Sequence, residues 1–242
     1  MREKLQNLFW IAYYHLLKKR IVHINSRPMV TFSFDDAPVS ALVCGAKILE
    51  RHGFRGTFYM SSKLLGNTTE AGKITDLDLT LANFKRGHEI ANHTHNHIDC
   101  VKHSSADICH EIISNNDIFG GVMTKHFAYP MGRHNARVRS LIKKRVATAR
   151  GIEVGINKNK VDPLRLKAIK VYSKRGLDEC FRFLSECAES GGWLIFYTHD
   201  VCSEPSDYGC RPEDFQKLVE MVKELGVDVA TIAEASKILM VC

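Results

Sequence analysis

The sequence predicts an α/β fold in which a parallel β-sheet is either open or closed into a barrel. From residue 28 onwards, short apolar runs alternate with amphipathic segments, which is the pattern of repeated βα units. The length of 242 residues exceeds the ~150 residues of an average domain, but barrel folds reach about 250 residues as one domain. Because the sequence shows no internal repeat and no linker after residue 28, we expect one substantial domain.

Hydrophobic periodicity and turn signals give the individual elements. Val30, Phe32 and Phe34 alternate along the first predicted strand, and the helix after it ends at His52-Gly53. Strands are predicted at residues 29–34, 54–60, 89–92, 126–129, 146–149, 168–172, 193–198 and 227–231. Helices are predicted at residues 39–51, 76–86, 104–118, 135–144, 176–190, 212–225 and 233–239. The longest loops, 61–75 and 200–211, are expected near the strand ends, where α/β folds carry their chemistry.

Residues 1–27 form a separate predicted segment, a basic amphipathic helix. Apolar residues recur at three- and four-residue spacing across residues 3–20, with cations at both ends. Six basic residues and one acidic residue give the segment a charge of +5, out of +7 for the whole chain. The helix either packs on its own domain or on a second subunit, or it lies on a membrane surface as a peripheral contact.

Composition and charge exclude several classes of protein. With 45% hydrophobic and 25% charged residues, the chain has the composition of an ordinary globular protein. It has no run of about 18 uncharged apolar residues, which a membrane-spanning helix requires. We expect no nucleic-acid partner, because the excess positive charge lies mostly in the N-terminal segment and no nucleic-acid-binding module is recognisable. No small-residue cleavage site follows the N-terminal apolar run, so we expect a cytoplasmic protein, or one attached peripherally at the inner face of the membrane.

The eight cysteines are predicted to be buried free thiols, since none are spaced CxxC and the chain is longer than a small disulfide scaffold. Cys202 and Cys210 flank a short loop, and a disulfide between them is the alternative.

Two polar motifs at predicted strand ends suggest a metal site. Asp35 and Asp36 close the first strand, where adjacent carboxylates repel each other unless a cation or a proton neutralises them. A solvated turn, with an Asp capping the next helix, is the simpler alternative. Residues 88–97 contain four histidines, and imidazole with carboxylate suits Zn²⁺ and similar divalent ions. His93, His97 and one of the two aspartates would complete a three-ligand catalytic site. We expect His88 to be structural, and His95 to support the ligands or to face solvent.

Two further strand ends carry groups that suit amide hydrolysis. The apolar strand 193–198 delivers His199, which is either a buried or edge histidine or a proton donor for a leaving amine. Residues 127–132 place a strand end before Gly132, where a free backbone N–H could face a developing oxyanion.

Taken in order, these motifs resemble those of the polysaccharide deacetylase family, the NodB-homology group of metal-dependent carbohydrate de-N-acetylases. The family's Thr-Phe-Asp-Asp motif is similar to residues 33–36, Ser-Phe-Asp-Asp. Its His-(Ser/Thr)-x-x-His motif is matched by residues 93–97, and its Leu-x-Leu-x-His motif resembles residues 194–199. The resemblance extends over roughly residues 28–235.

The resemblance implies a distorted (β/α) barrel of about seven parallel strands for residues 28–242, with a metal ion at the C-terminal strand ends. It implies Asp35 as general base, His199 as general acid and the backbone N–H of Met131 as an oxyanion donor. The implied metal ligands are Asp36, His93 and His97. The implied cofactor is a divalent ion, zinc in the first place, with cobalt, nickel or iron as alternatives. The implied substrate is an N-acetylated sugar in a polysaccharide, an oligosaccharide or a lipid-linked glycan.

The chain departs from the family pattern at two positions. The family often has an Arg that orients the base aspartate, but Ala128 stands at the corresponding place, and Arg150 is a candidate substitute. The family's fourth motif is not visible, which leaves Asp162 as a candidate for orienting His199. Hydrolysis of another acyl group, such as an O-acetyl ester or a sugar formamide, and an inactive glycan- or metal-binding relative are the alternative functions. The sequence makes no prediction of oligomeric state.

Overall fold

The computed structural model describes residues 21–241. The predicted helix at residues 3–20 and Cys242 lie outside the described residues, so the membrane or subunit contact of that helix stays a prediction.

The elements of the described chain are as follows. The strands are β1 (Val22–Ile24), β2 (Met29–Asp35), β3 (Thr57–Met60), β4 (Thr68–Thr69), β5 (Gly72–Lys73), β6 (Glu89–Asn92), β7 (Met123–Ala128), β8 (Thr148–Arg150), β9 (Asn159–Val161), β10 (Ile169–Lys170), β11 (Trp193–Thr198), β12 (Asp228–Val229) and β13 (Met240–Val241). The helices are α1 (Ala46–Arg51), α2 (Leu77–Lys85), α3 (Ser105–Ile118), α4 (Ala136–Ile142), α5 (Asp178–Ser190), α6 (Pro212–Glu224) and α7 (Ile232–Leu239). A π-helical turn, Ala41–Gly45, leads into α1, and short 3₁₀ turns occupy Ser62–Leu64, Pro130–Gly132 and Ser173–Arg175.

Seven strands form a curled parallel sheet in the spatial order β10-β11-β2-β3-β6-β7-β8, and β12 pairs with β2 in addition. The sheet and its surrounding helices make a half-barrel, which confirms the predicted distorted (β/α) barrel. Its two ends approach each other where Arg150, at the end of β8, pairs with Leu166.

The alternation of side chains along each strand separates two core clusters. The side chains that pack against the helices are Val30, Phe32 and Phe34 on β2, and Leu194 and Phe196 on β11. Those that fill the barrel interior are Met29 on β2, and Trp193, Ile195 and Tyr197 on β11. Asp35 is in phase with Met29, and His199 is in phase with Tyr197. The same two-residue period that builds the core therefore turns both polar side chains into the barrel.

Several elements were not predicted from the sequence. β1, β9 and β13 form a small antiparallel sheet, and β4 with β5 forms a hairpin inside the predicted loop 61–75. Each of these strands has only two or three residues, too few for an apolar period to be visible. Pairing with distant partners, rather than local pattern, defines these strands.

None of the helices in the described part of the chain is long and apolar enough to cross a bilayer. Cys202 and Cys210 are free thiols, as are the other cysteines of residues 21–241, so the alternative of a disulfide between them is wrong. The two residues do approach each other, because the backbone N–H of Cys202 donates to the carbonyl of Cys210 at 3.2 Å.

Candidate metal centre and active site

The predicted site residues all follow or end strands of the curled sheet and meet at one pocket. Asp35 ends β2 and Asp36 follows it, His93 follows β6 and His199 follows β11. Together with His97, Met131, Tyr172, Tyr197 and Tyr208, these residues line a cavity of about 540 Å³. Parallel strands place their carboxyl ends on one side of a barrel, so residues more than 160 positions apart in sequence share this pocket.

Asp36, His93 and His97 form a cluster whose geometry fits a divalent ion. One potential ligand atom from each lies within 4.8 Å of the others. Oδ1 of Asp36 is 3.6 Å from Nε2 of His97 and 3.9 Å from Nε2 of His93, too far for hydrogen bonds. Ligand atoms around a tetrahedral Zn²⁺ lie about 3.3 Å apart, as follows from metal–ligand distances near 2 Å. Oδ1 of Asp36 is buried and has no hydrogen-bond partner among the described residues, as expected for an atom that binds an ion.

His93 is oriented for metal binding by its second nitrogen. Nδ1 lies 2.8 Å from the carbonyl oxygen of Ala128, so it carries the proton and leaves the Nε2 lone pair directed at the cluster. Burial lowers the pKa of His93 to about 4, which keeps the imidazole neutral at neutral pH. Ala128, which replaces the Arg of the family pattern, thus contributes through its main chain.

The backbone around the site is strained. Six residues other than glycine have a positive φ in residues 21–241, and the five that belong to the site or adjoin it are Asp36, Ala37, Thr94, His97 and Met131. Such conformations cost about 1–3 kcal/mol each when non-glycine residues adopt them, and they cluster at functional sites. The surrounding hydrogen bonds must therefore hold these loops in place.

Two polar residues that the sequence did not identify hold the histidine loop. The Asn92 side chain accepts from the N–H of Thr94 and donates to the carbonyl of Ile112 on α3. The buried carboxylate of Glu111, also on α3, accepts from the backbone and side-chain amides of Asn96, both at 2.7 Å. A glutamate on the buried face of an otherwise amphipathic helix was the signal that could have revealed this support.

We expect Glu111→Ala to lower the free energy of unfolding by about 2 kcal/mol, because the two Asn96 donors lose a charged acceptor. We also expect metal affinity to fall about tenfold or more, since His97 is the next residue along the loop. Urea unfolding and metal titration measure the two effects. Glu224→Ala, at an exposed helix end, is the matched control; equal metal affinity in the two variants would contradict a role for Glu111 in holding the ligand loop.

Arg150 lies against Asp35. It brings a guanidinium to this carboxylate, although Ala128 stands where the family pattern has an Arg. Its Nη2 donates to Oδ1 of Asp35, and its Nη1 donates to the carbonyl of Gly151 at 3.0 Å. The guanidinium lies between two aromatic faces, 5.0 Å from the ring centre of Tyr59 and 4.8 Å from that of Tyr197. Arg150 therefore contacts Asp35, as a substitute for the missing Arg would, and its role in orienting a catalytic base stays a prediction.

The charge state of Asp35 follows from this arrangement. Burial raises the pKa of the Asp35 carboxyl, but the guanidinium charge of Arg150 and its hydrogen bond to the carboxyl act in the opposite direction, and the pKa lies below its ordinary value. Asp35 is thus an ionised carboxylate beside the metal cluster, able to accept a proton.

His199 reaches the same pocket from β11. Its backbone N–H donates to the carbonyl of Tyr208 at 3.1 Å, and its ring lies 5.5 Å from the ring of Tyr208. Nδ1 of His199 is buried and has no hydrogen-bond partner among residues 21–241. The suggestion that Asp162 orients His199 is wrong, because the Asp162 carboxylate caps the backbone N–H of Leu164 and pairs with Arg139 instead.

Met131 stands at the N-terminal end of a 3₁₀ turn that begins at Pro130. The first backbone N–H groups of such a turn have no partner within it, which suits them to bind an oxyanion. Gly132, with φ of +65°, allows the turn to lie against the next loop, since a Cβ at this position would collide with Ile152. Met131 itself lines the pocket.

The remaining histidines of the motif have supporting positions. His88 is buried, with Nε2 2.9 Å from Glu50 and Nδ1 accepting from the N–H of Gly56, which is the structural role expected. Nδ1 of His95 lies 2.6 Å from Oγ of Ser62, and His95 is not part of the metal cluster.

Comparisons with known proteins agree with this architecture. The fold is similar to that of the chitin deacetylase from the fungal pathogen Colletotrichum lindemuthianum, with a TM-score of 0.61 and 18% identity over 89% of this chain and 90% of that chain. It is similar to a family 4 carbohydrate esterase from Streptomyces lividans, with a TM-score of 0.58 and 18% identity over 90% of this chain and 98% of that one. The peptidoglycan deacetylase PdaC from Bacillus subtilis gives a TM-score of 0.57 and 14% identity over 88% and 91% of the two chains.

At these identities the structural likeness concerns the fold alone, and no curated protein matches the sequence significantly. The sequence model of the family described as "Polysaccharide deacetylase" matches residues 23–149, just over half of the chain and the part that holds the Asp-Asp and histidine motifs. The chain therefore belongs to the polysaccharide deacetylase family.

Proposed function

We propose that the protein is a metal-dependent hydrolase that removes the N-acetyl group from an N-acetylated sugar of a polysaccharide, an oligosaccharide or a lipid-linked glycan. The observation that carries the proposal is the convergence of three ligand atoms on one point, with a paired carboxylate and a histidine beside them in one pocket. Asp36, His93 and His97 would hold the metal, and Zn²⁺ fits this oxygen and nitrogen donor set, with Co²⁺, Ni²⁺ or Fe²⁺ as alternatives. When bound, the ion polarises the amide carbonyl and lowers the pKa of water.

The residues of the chain supply the proton transfers. Asp35, fixed by Arg150, accepts the proton of the attacking water as general base. The backbone N–H of Met131 donates to the oxygen that gains charge as the carbonyl becomes tetrahedral. His199 then gives its proton to the departing sugar nitrogen, which leaves as an amine together with acetate.

A direct test combines metal content with product analysis. We expect the metal-loaded protein to release acetate from a panel of N-acetylated oligosaccharides and to stop doing so after treatment with a chelator. His93→Ala and His97→Ala should lose the metal and the activity. His95→Ala, in the same loop but outside the cluster, is the matched control and should keep both.

The outcomes separate the alternative functions. Equal metal content in His93→Ala and the unmodified protein would contradict the ligand assignment. Metal binding without release of any acyl group would indicate an inactive relative. Release of the acyl group from O-acetyl esters or formamides alone would support the assigned site and contradict the proposed N-acetylated substrate.

Two further expectations remain part of the proposal. One is a cytoplasmic location, with peripheral attachment at the inner face of the membrane as the alternative. The other is the division of the chain into a segment 1–27 and a catalytic domain 28–242.

A further inference from the structure

Tyr208 presents an exposed aromatic ring to the active-site pocket. Three tyrosines of the described chain line this pocket, and Tyr172 and Tyr197 are buried, whereas Tyr208 is 46% exposed. The ring centre of Tyr208 lies 5.5 Å from that of His199 and 6.1 Å from that of Tyr172. A half-exposed aromatic ring in a ligand pocket offers its apolar face to the molecule that binds there. The wall of the pocket next to His199 is therefore aromatic.

The main chain of Tyr208 is fixed at the end of β11. Its carbonyl oxygen accepts from the N–H of His199 at 3.1 Å and from the hydroxyl of Thr198 at 3.3 Å. Its own N–H donates to Oγ of Ser206 at 3.2 Å. The ring of Tyr208 is therefore attached to the same strand end as His199, and these hydrogen bonds set the distance between the two side chains.

The buried carboxylate of Asp200 folds the loop that carries Tyr208. Asp200 is 3% exposed, and its two oxygens accept from the N–H of Ser206 at 2.8 Å and from the Ser206 hydroxyl at 2.6 Å. The carboxylate also lies against Gly209, where a Cβ would collide with it. A buried carboxylate is costly unless it is hydrogen-bonded, so these contacts favour one conformation of the loop. Asp200 does not line the active-site pocket, and support of Tyr208 gives it a role outside the proposed proton transfers.

The position of Tyr208 indicates which part of a substrate it faces. This step rests on the proposed function, in which His199 gives its proton to the departing nitrogen. That nitrogen is bonded directly to a ring carbon of the sugar, so the sugar ring must lie next to His199 when the bond breaks. The acetyl group lies on the opposite side of the nitrogen, where the metal cluster and the N–H of Met131 would receive its oxygen. Tyr208 therefore faces the sugar and not the acetyl group.

We propose that Tyr208 is a specificity-determining residue, whose ring packs against the pyranose ring that carries the acetamido nitrogen. One face of a pyranose presents mainly C–H groups, and an aromatic ring covers that face while the sugar hydroxyls at the rim keep their hydrogen bonds. Asp200 is a positioning residue that acts through Tyr208, because it holds the loop in which the ring is fixed. Binding energy from the sugar then places the amide nitrogen beside His199.

The test measures binding by calorimetry in the full-length, metal-loaded Asp35→Asn protein, so that the ligand is not consumed. The probes are a panel of N-acetylated oligosaccharides, with fully acetylated chitotriose as the first. We expect Tyr208→Ala in this background to weaken binding by about tenfold and Tyr208→Phe to keep it, because phenylalanine retains the aromatic face. Tyr208→Leu fills the space without an aromatic ring and should bind as weakly as Tyr208→Ala. Phe84→Ala removes a ring that is 39% exposed on α2, far from the pocket lining, and is the matched control that should bind normally.

A second set of variants tests the support by Asp200. Asp200→Asn keeps the size of the side chain and removes its charge, and we expect weaker binding because the loop is less firmly held. Asp200→Asn/Tyr208→Ala should bind no more weakly than Tyr208→Ala, since Asp200 acts through the ring that is already absent. Metal content shows that each variant keeps the folded site. Additive losses in the double variant would contradict the positioning role of Asp200.

The outcomes separate this proposal from the proposed activity. Unchanged binding in Tyr208→Ala would overturn the contact with the sugar, and full recovery in Tyr208→Leu would show that the residue only fills space beside His199. Failure of every probe to bind the Asp35→Asn protein would overturn the proposal as well. Binding that depends on the Tyr208 ring, without acetate release by the unmodified protein, would support the sugar contact and contradict the proposed activity alone.

Discussion

Asp35→Asn is expected to lower kcat by about 10²–10⁴ while the protein retains its metal, because asparagine keeps the shape of the side chain but cannot accept the proton of water. Asp35 lies beside the ligand cluster without belonging to it, and its carboxylate is ionised in the pocket. Acetate release and metal analysis of the same preparation measure the two quantities. Loss of the metal in Asp35→Asn would mean that Asp35 is a ligand, and near-normal turnover would remove it from the mechanism.

His199→Ala tests the second proton transfer of the proposed reaction, from His199 to the leaving amine. We expect a loss of similar size, again with the metal retained, because the leaving amine then departs without a proton donor. The loss should be smaller for a substrate whose leaving group is less basic than a sugar amine, such as an acetyl ester. An equal loss for ester and amide would argue that His199 shapes the pocket instead of donating the proton.

The second large effect concerns Arg150, which is buried with the carboxylate that it contacts. Arg150→Met should lower the free energy of unfolding by about 3 kcal/mol, because it leaves the charge of the buried Asp35 carboxylate without its counter-charge. It should also reduce kcat by about tenfold or more with little change in KM, since Asp35 would lose its orientation and Arg150 itself does not line the pocket.

A double-mutant cycle separates these two roles of Arg150. Asp35→Asn/Arg150→Met removes both charges and should be more stable than Arg150→Met alone, a coupling that an independent packing role would not produce. Arg150→Lys keeps the charge without the planar fork of donors and should recover part of the stability and less of the turnover. Additive stabilities in the cycle would show that Arg150 acts through its packing between Tyr59 and Tyr197.

The sequence predicted the metal cluster from residue types and motif spacing, whereas strand periodicity accounts for the two residues beside the cluster. Asp35 and His199 continue the alternation of β2 and β11 into the pocket, and the strand order brings their ends together. The contact between Arg150 and Asp35 joins residues 115 positions apart, so the sequence could suggest it only through the missing arginine at Ala128. Asp162 was assigned wrongly because spacing in sequence contains no information about Arg139, which holds it elsewhere.

Glu111 and Asn96 escaped prediction for a related reason. The helical period places Glu111 on the buried face of α3, but nothing in the sequence identifies Asn96 in the loop as its hydrogen-bond partner. The short strands β1, β9 and β13 likewise depend on partners that are distant in sequence.

The pairing between Arg150 and Leu166 joins the two ends of the curled sheet, and we call this contact the seam. There the N–H of Gly151 donates to the carbonyl of Leu166, and the N–H of Leu166 to that of Ala149, both at 2.9 Å. Arg150 stands between the two residues that make these hydrogen bonds, and its side chain contacts the carboxylate of Asp35. In the proposed mechanism, a local opening of the seam would therefore remove the contact that orients Asp35, and the free energy of that opening would limit the fraction of molecules competent for catalysis.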